Sequence, residues 1–175
     1  MSGRVVVIVL LLAGVISGGA MYYLQVWGLY DWLPAADRLT VATETGATET
    51  GATEMAVTEL AVTDFQGIDS ASSPLRRRAC FRLHAAEGLI DYPDPTPLNA
   101  PRWFRCFDAP AIDRDLSQGR ASAYLVEADF VWGFDRVMAV YPDGRAYLWN
   151  QINACGRAHF DGRDLPPGCP PAPES

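Results

Sequence analysis

The sequence contains no lysine, so all 14 of its basic residues are arginines. We interpret this as a compositional bias of the source and not as a set of functional guanidinium groups. Basic charge is also scarce relative to acidic charge, because 21 Asp and Glu residues leave a formal net charge of -7. Nucleic acids and anionic lipids are bound through basic surfaces. The charge therefore argues against both as partners of the folded domain as a whole.

The sequence motifs of common enzymes are missing as well. The chain has no G-x-S-x-G nucleophile elbow, no P-loop, no H-E-x-x-H zinc motif, no C-x-x-C pair and no C-x-x-C-H haem attachment site. No pattern places a nucleophile beside a base, and none indicates a cofactor. The sequence therefore favours a binding protein, although the lack of motifs does not exclude an enzyme.

The longest apolar run extends from Val5 to Leu24, and Ser17 is the only polar side chain before Ala20. At about 1.5 Å per residue, this run makes a helix about 30 Å long, which matches the hydrocarbon core of a bilayer. Tyr and Trp residues follow, and these residues suit the membrane interface. We predict a retained transmembrane helix that contacts the lipid bilayer. A signal peptide cleaved after residues 18–20 is the alternative.

The charges on either side of this helix predict its orientation. Arg4 and the amino terminus precede it, whereas Asp31 and Asp37 follow it with only Arg38 nearby. By the positive-inside rule, residues 1–4 form a cytoplasmic stub and the remaining chain lies on the outer side of the membrane.

Gly14 and Gly18 form a G-x-x-x-G spacing within the helix. This spacing allows the close approach of a second helix, and therefore a homodimer. Plain anchoring is the competing interpretation, because Gly is common in membrane helices and Gly19 interrupts the face.

All four cysteines lie beyond the apolar run: Cys80, Cys106, Cys155 and Cys169. In an oxidising compartment an even number of cysteines indicates two disulfides, for which three pairings are possible. We favour Cys80 with Cys106 and Cys155 with Cys169. Cys169 lies in a proline-rich stretch that cannot form a helix or a central strand, so it needs a tether.

Each histidine follows a cysteine at the same spacing: His84 follows Cys80, and His159 follows Cys155. Together these pairs present an alternative, a Cys₂His₂ zinc site. Zinc requires thiolates, which an oxidising compartment converts to disulfides, and a zinc site leaves the other two cysteines unexplained. We therefore predict no metal site.

An acidic pentapeptide repeat occupies residues 41–65, with Thr at the third place of each unit and Glu or Asp at the fourth. A period of five matches neither a helix nor a strand, so the early units cannot maintain an apolar face. We predict a flexible acidic spacer over residues 41–55. Large apolar residues return in the last two units, so we place the start of the folded domain at residue 56.

Apolar patterns and turn signals predict a mostly antiparallel sheet in this domain. The candidate elements are strands at residues 57–65, 75–83 and 121–127 and a short helix at residues 111–118. A hairpin of residues 136–141 and 145–152 is the clearest signal, because Pro142-Asp143-Gly144 is typical of a type I turn with a bulge. Prolines exclude long regular structure between residues 91 and 110, where Trp103, Phe104 and Phe107 are expected to fill the core.

The run Arg76-Arg77-Arg78 suggests a phosphate site. On a strand, however, alternation points Arg77 away from its two neighbours, so the run does not form one patch. We interpret these arginines as solvated residues or as ion-pair partners of the acidic surface.

Two polar segments are candidate ligand loops for an alternative function, that of a small-ligand sensor or an enzyme. Their polar residues are Asp64, Gln66, Asp69 and Ser72 in the first segment and Asn150, Gln151 and Asn153 in the second. The competing interpretation is that such residues cap turns.

Short segments distributed along the chain carry a family resemblance. They are YYLQV at 22–26, DFQGID at 64–69, SSP at 72–74, RACF at 78–81, TPLNAP at 96–101, WF at 103–104, CFDA at 106–109, DRV at 135–137, YPDG at 141–144, QIN at 151–153 and CG at 155–156. The chain resembles an uncharacterised family of small single-pass membrane proteins from alphaproteobacteria, except in the pentapeptide repeat. The resemblance implies no established activity. Some similar proteins are labelled histidine kinases, but this chain has neither the motifs nor the room for an ATP-binding domain.

These observations predict an α+β protein anchored in the inner membrane. Its divisions are a cytoplasmic stub (1–4), a transmembrane helix (5–24), a juxtamembrane segment (25–40), the repeat (41–55), a globular periplasmic domain (56–164) and a proline-rich tail (165–175). The domain is expected to contain a mostly antiparallel sheet, one or two short helices and two disulfides. The predicted function is that of a binding or assembly accessory for an envelope protein partner.

Overall fold

The computed structural model describes residues 2–45, 54–84 and 88–173 of the chain. The elements in chain order are α1 (Gly3–Tyr23), a π-helical turn (Leu24–Gly28), β1 (Asp31–Trp32), β2 (Arg38–Thr45), β3 (Glu54–Asp69), a 3₁₀ turn (Pro74–Arg76), β4 (Arg78–Leu83), α2 (Ala109–Ser117), β5 (Ser122–Val131), β6 (Phe134–Val140), β7 (Arg145–Ile152) and α3 (Ala154–Phe160).

The first helix and the π-helical turn together form an apolar segment, Gly3–Gly28, of 26 residues. Its length and composition are sufficient to cross a membrane. None of the residues of α1 is buried against the rest of the protein. The predicted apolar helix is therefore confirmed, and helical structure continues beyond Leu24 to Gly28.

The strands form one antiparallel sheet in the order β1-β3-β4-β7-β6-β5. Strand β2 pairs with the first half of β3, and β1 pairs with its last two residues. Two isolated bridges, Thr43 with Leu89 and Asp91 with Tyr124, connect β2 to β5 through residues 89–91. The sheet therefore curls, so that β2 and β5 approach each other. The predicted α+β class with a mostly antiparallel sheet is confirmed.

The structure differs from the flexible spacer predicted over residues 41–55. Residues 41–45 lie in β2 and pair with residues 54–58 of β3, while residues 46–53 lie outside the described part of the chain. Val41 is fully buried, which explains why this first unit of the repeat is ordered. The sheet also begins before residue 56, because β1 and the start of β2 lie in the stretch predicted as juxtamembrane.

Each face of the curled sheet carries its own apolar core, as the alternation of side chains along a strand requires. The inner core contains Phe81, Met138 and Leu148. The outer core contains Val137 and Trp149, together with residues from α2 and from the irregular segment 92–107. Adjacent residues of β6 and β7 therefore face different cores.

The irregular segment and α2 cover the outer face of the sheet. Phe104 and Phe107 are buried there, as predicted. The helix begins two residues earlier than predicted, because the Asp108 side chain accepts a hydrogen bond from the Ala111 N–H and caps the first turn. Asp115 consequently lies in the last part of α2.

The predicted hairpin is confirmed in β6 and β7. The Gly144 N–H donates to the Tyr141 carbonyl at 3.0 Å, and the Tyr141 N–H donates to the Arg145 carbonyl at 2.9 Å. Gly144 has a φ of +83°, and a Cβ at this position would lie 2.8 Å from the Leu83 carbonyl oxygen. Glycine is required here both for the turn and for the close approach of β4.

Candidate functional site

Aromatic side chains join the end of the apolar helix to the folded domain. The Trp103 indole stacks on Trp27 with ring centroids 5.1 Å apart, and it also contacts Tyr30 and Trp32. Its Nε1 donates a hydrogen bond of 2.6 Å to the Val26 carbonyl, one of the carbonyls that a helix end leaves without an intrahelical partner. We call this set, Trp27, Tyr30, Trp32, Trp103 and Phe104, the junction.

A cleft of about 780 Å³ opens beside the junction. Its walls are formed by the last turns of the helix and by residues 99–105, and they include Tyr22, Gln25, Trp27, Arg102 and Arg105. The described lining contains both aromatic rings and guanidinium groups but no carboxylate. We refer to it as the junction cleft.

The arginine run divides among three environments near this cleft. Arg77 pairs with Asp69 at 3.1 Å, as the ion-pair interpretation predicted. Arg76 lies in the 3₁₀ turn with its guanidinium 5.3 Å from the centre of the Tyr30 ring. Among the described residues, the buried Arg76 Nη1 has no hydrogen-bond partner.

Arg78 corrects the expectation of a solvated or ion-paired arginine. It is 3% exposed, and its guanidinium donates to the backbone carbonyls of Leu75, Arg77, Leu98 and Asn99. Burial lowers the pKa of Arg78 to about 10, because removal from water disfavours the charged form. This arginine holds residues 98–99, next to the junction cleft, against β4.

A second cleft of about 560 Å³ lies beside α3, with Tyr92, Asp135, Gln151, Asn153 and Arg157 in its lining. We call it the α3 cleft. Asp135 accepts hydrogen bonds from the Tyr92 hydroxyl at 2.9 Å, from the Asp129 N–H at 2.9 Å and from Asn153 Nδ2 at 3.0 Å. Burial, followed by the negative charge of Asp135, raises the pKa of Tyr92 above its ordinary value.

The first predicted ligand segment is spread along the sheet. Asp64 has a φ of +55° at a bulge in β3 and lies 3.8 Å from Arg82, whereas Gln66 is exposed in the same strand. Asp69 ends β3 and pairs with Arg77. The Ser72 hydroxyl shares a hydrogen bond with the Ser70 hydroxyl in the following turn. These four residues do not line either cleft described above.

The second predicted segment is not a loop, because Asn150 and Gln151 lie in β7 and are buried. Gln151 Oε1 accepts hydrogen bonds from the Thr96 N–H and the Trp149 indole. Asn150 Nδ2 donates to the Pro74 carbonyl. Asn153 caps α3 through the Gly156 N–H, which agrees with the turn-capping interpretation. Only Gln151 and Asn153 of the predicted set line the α3 cleft.

Two disulfides, Cys80–Cys106 and Cys155–Cys169, have the pairing that the sequence favoured. The alternative zinc site of Cys80, His84, Cys155 and His159 is not supported, since both sulfur atoms belong to disulfides, and to different ones. The first disulfide ties β4 to the segment that carries Trp103. The second ties the tail to α3.

At the turn between β6 and β7, far along these strands from α3, charged side chains are paired within the chain. The Tyr141 hydroxyl donates a 2.7 Å hydrogen bond to Asp115, which also pairs with Arg120. Both contacts hold the pKa of Asp115 below its ordinary value. Arg145 pairs with Asp143 at 2.7 Å. We call these five residues the hairpin end.

Sequence reasoning missed the junction and Asp135. The aromatic residues near residue 27 were recognised as a membrane collar and Trp103 as a core residue, but nothing in their spacing indicates that they meet. Asp135 had one signal, an acidic residue beside the start of the predicted strand 136–141.

A model of a family of unknown function, DUF6446, matches residues 47–170. The match covers more than half of the chain, so the chain belongs to this family. No curated protein and no solved structure matches the chain significantly.

Proposed function

We propose that this member of the DUF6446 family is a membrane-anchored periplasmic domain. It binds an envelope protein partner, as a binding protein or as an accessory in envelope assembly. In this proposal the apolar helix spans the inner membrane with its amino terminus in the cytoplasm. The junction is the observation that carries the proposal. A helix fixed to a folded domain by Trp103 holds that domain at a constant distance from the bilayer, where it is presented to other envelope proteins.

The two disulfides support an oxidising compartment for the domain, since such bonds persist mainly outside the cytoplasm. A topology measurement tests this part. In native membranes, all four cysteines should resist thiol alkylation until a reductant is added. Carbonate extraction should leave the full chain in the membrane and release a variant that lacks residues 2–28. Four freely alkylated thiols would reverse the proposed orientation.

An exposed apolar patch supports the binding role. Phe160 is 62% exposed and Val131 is 48% exposed, and they lie at α3 and the β5–β6 turn. The rings of their sequence neighbours, Trp132 and His159, have centroids 5.0 Å apart. The ion pair of Asp161 with Arg163 is adjacent in sequence. An apolar centre with a polar rim is typical of protein interfaces.

Site-specific photocrosslinking in cells tests the partner. A photoreactive phenylalanine analogue at Phe160 or Val131 should give one discrete crosslinked species, with the same partner from both positions. Val57 is the matched control, because it is an apolar residue that is 75% exposed on β3, away from the patch. Equal crosslinking from Val57, or none from the patch, would contradict the proposal.

The α3 cleft favours a second candidate function, the sensing of a small polar ligand. Most polar atoms of Gln151 and Asn153 already bind within the protein. Charged groups of the lining that form no ion pair within the described residues, including Arg157 and Asp164, therefore carry the recognition chemistry in this candidate. A thermal-shift panel of amino acids and other zwitterions tests it. The wild-type chain should be stabilised by a ligand that leaves Arg157→Gln unaffected, while Arg114→Gln on α2 keeps the response. No stabilisation by any ligand would remove this candidate.

A further inference from the structure

Two arginines that line the junction cleft lack a carboxylate partner among the described residues, as do Arg114 on α2 and Arg157 on α3, whereas seven other arginines form ion pairs. Arg102 and Arg105 are exposed, and neither forms an ion pair within the described residues. By contrast, Arg120 and Arg145 at the hairpin end both pair with aspartates. The chain has a net charge of -7, so carboxylates are abundant but are not placed here.

A third arginine beside the junction cleft has unused hydrogen-bonding capacity. Arg76 stacks on Tyr30, whose ring is part of the cleft wall, and its buried Nη1 has no acceptor among the described residues. A buried donor without an acceptor typically costs about 1–3 kcal/mol. Arg76 does not line the cleft and its Nη1 is buried, so the two exposed guanidinium groups, Arg102 and Arg105, are the ones that an occupant with acceptor oxygens would contact.

The position of the cleft identifies the source of such an occupant. The apolar segment Gly3–Gly28 would be about 39 Å long at 1.5 Å per residue, longer than a hydrocarbon core of about 30 Å. When residues 5–24 span that core, Tyr22, Gln25 and Trp27 lie at one of its boundaries. The junction cleft then opens at the level of the lipid headgroups, where Tyr and Trp side chains are favoured.

We propose that the junction cleft binds the phosphate-bearing headgroup of an anionic phospholipid from the membrane that the helix spans. Arg102 and Arg105 contact the phosphate, and the aromatic wall packs against the glycerol and upper acyl groups. This inference rests on the membrane span in the proposed function. It is a local exception to the overall charge, which disfavours anionic lipid for the domain as a whole.

This inference is tested by measuring which lipid the full chain retains, first in nanodiscs and then in detergent. The chain is reconstituted in phosphatidylcholine alone or in an equimolar mixture with phosphatidylglycerol, and lipid retention after extraction is measured by native mass spectrometry. We expect preferential retention of phosphatidylglycerol. The double variant Arg102→Gln/Arg105→Gln should bind it about thirtyfold more weakly, because each basic residue near an anionic surface contributes a factor of about five.

The matched control is Arg114→Gln/Arg157→Gln, which removes two exposed positive charges that form no ion pair among the described residues and do not line the junction cleft. It should retain wild-type selectivity, and equal losses in the two double variants would reduce the effect to net charge and overturn the proposal. Equal retention of the two lipids by the wild-type chain would also overturn it. Glycerol 3-phosphate added in detergent tests whether the ligand is a soluble molecule. If the chain retains it in native mass spectra as strongly as it retains phosphatidylglycerol, the ligand need not come from a lipid, and the proposal is refuted.

Vesicle flotation separates this inference from the proposed function. A chain that fails to float with phosphatidylcholine vesicles lacks the span, and both proposals fail. A chain that floats without lipid selectivity contradicts only the headgroup site. Near-UV circular dichroism of both double variants establishes that they fold.

Discussion

The junction and the hairpin end both place an arginine over an aromatic ring, but only one of them also supplies a carboxylate. At the hairpin end, Arg145 lies 4.5 Å from the centre of the Tyr141 ring and pairs with Asp143 at 2.7 Å. At the junction, Arg76 lies 5.3 Å from the centre of the Tyr30 ring, with no ion pair among the described residues. The hairpin end is neutralised within the chain, whereas Arg76 beside the junction has no carboxylate partner among the described residues.

The largest expected effect comes from releasing the segment that carries Trp103. The double variant Cys80→Ser/Cys106→Ser opens a loop closed over 26 residues, which should cost about 3.5 kcal/mol of unfolding free energy. The variant Cys155→Ser/Cys169→Ser, with a separation of 14, should cost about 3 kcal/mol and leave the junction intact. Urea unfolding in detergent measures both. Near-UV circular dichroism reports on the aromatic residues of the junction. If their signals are lost in Cys155→Ser/Cys169→Ser and kept in Cys80→Ser/Cys106→Ser, the first disulfide does not support the junction.

Removing a buried arginine should destabilise the protein far more than removing an exposed one. Arg78→Ala leaves four backbone carbonyls without their charged donor, and we expect a loss of about 3 kcal/mol. Arg120→Ala at the hairpin end breaks an ion pair that is half-exposed on the arginine side, and it should cost less than about 1 kcal/mol. Equal changes in the urea midpoint would show that Arg78 is not the support that its contacts indicate.

The hairpin end can be perturbed through its turn. Gly144→Ala combines a left-handed backbone with a Cβ contact of 2.8 Å to the Leu83 carbonyl, and we expect a loss of at least about 2 kcal/mol. Gly162→Ala is the control, because its φ is +66° but its surroundings are open, so only about 1 kcal/mol should be lost. Thermal unfolding measures the difference. Identical losses would mean that β4 yields to the new methyl group.

One hydrogen bond from each region allows a matched comparison. Trp103→Phe removes the donor to Val26, and Tyr141→Phe removes the donor to Asp115. Each should cost about 1 kcal/mol, a typical net value for one hydrogen bond. Hydrogen exchange should separate the variants, with faster exchange at residues 22–28 only in Trp103→Phe. Unchanged exchange there would show that Trp103 does not secure the helix end.

The smallest expected effect is a pH dependence at the hairpin end. Hydrogen bonds from Tyr141 and Arg120 lower the pKa of Asp115 in the folded state, so the unfolded chain binds its proton first as the pH falls. The stabilisation is present above the unfolded carboxyl pKa of about 4 and is lost as the pH decreases below it. Asp115→Asn should reduce the decrease of the urea midpoint as the pH falls below about 4. Tyr141→Phe removes the hydrogen bond that contributes most to this shift, so it should also reduce the pH dependence, and an unchanged pH dependence in that variant would contradict the assignment.

The fold was predictable where the signal was local. Pro142-Asp143-Gly144 specifies its own turn, so the hairpin was located almost to the residue. The first unit of the repeat was wrongly assigned to a spacer, because its period contains no strand signal and its burial depends on pairing with β3. Asn150 and Gln151 were assigned to a loop because of their residue type. They lie in the buried strand β7, and their hydrogen-bond partners are Pro74, Asp94 and Thr96, which are distant in sequence.

The candidate site was less predictable than the fold, because its parts are distant in sequence. Trp103 and Val26 are separated by 77 positions, and no periodic pattern extends over such an interval. The strand predicted over residues 75–83 begins only at Arg78, so alternation does not describe Arg76 and Arg77. The sequence also gives no signal that residues 98–99 cover Arg78.

The apolar helix and the antiparallel hairpin follow from the sequence alone, because they depend on hydrophobic length and on turn chemistry. The sequence favoured one disulfide pairing among three, and the structure shows that pairing. Which arginines are neutralised within the chain depends on the tertiary structure. That outcome depends on distances between residues far apart in the chain. Paired, buried and unpaired arginines have the same side chain, and their surroundings alone distinguish them.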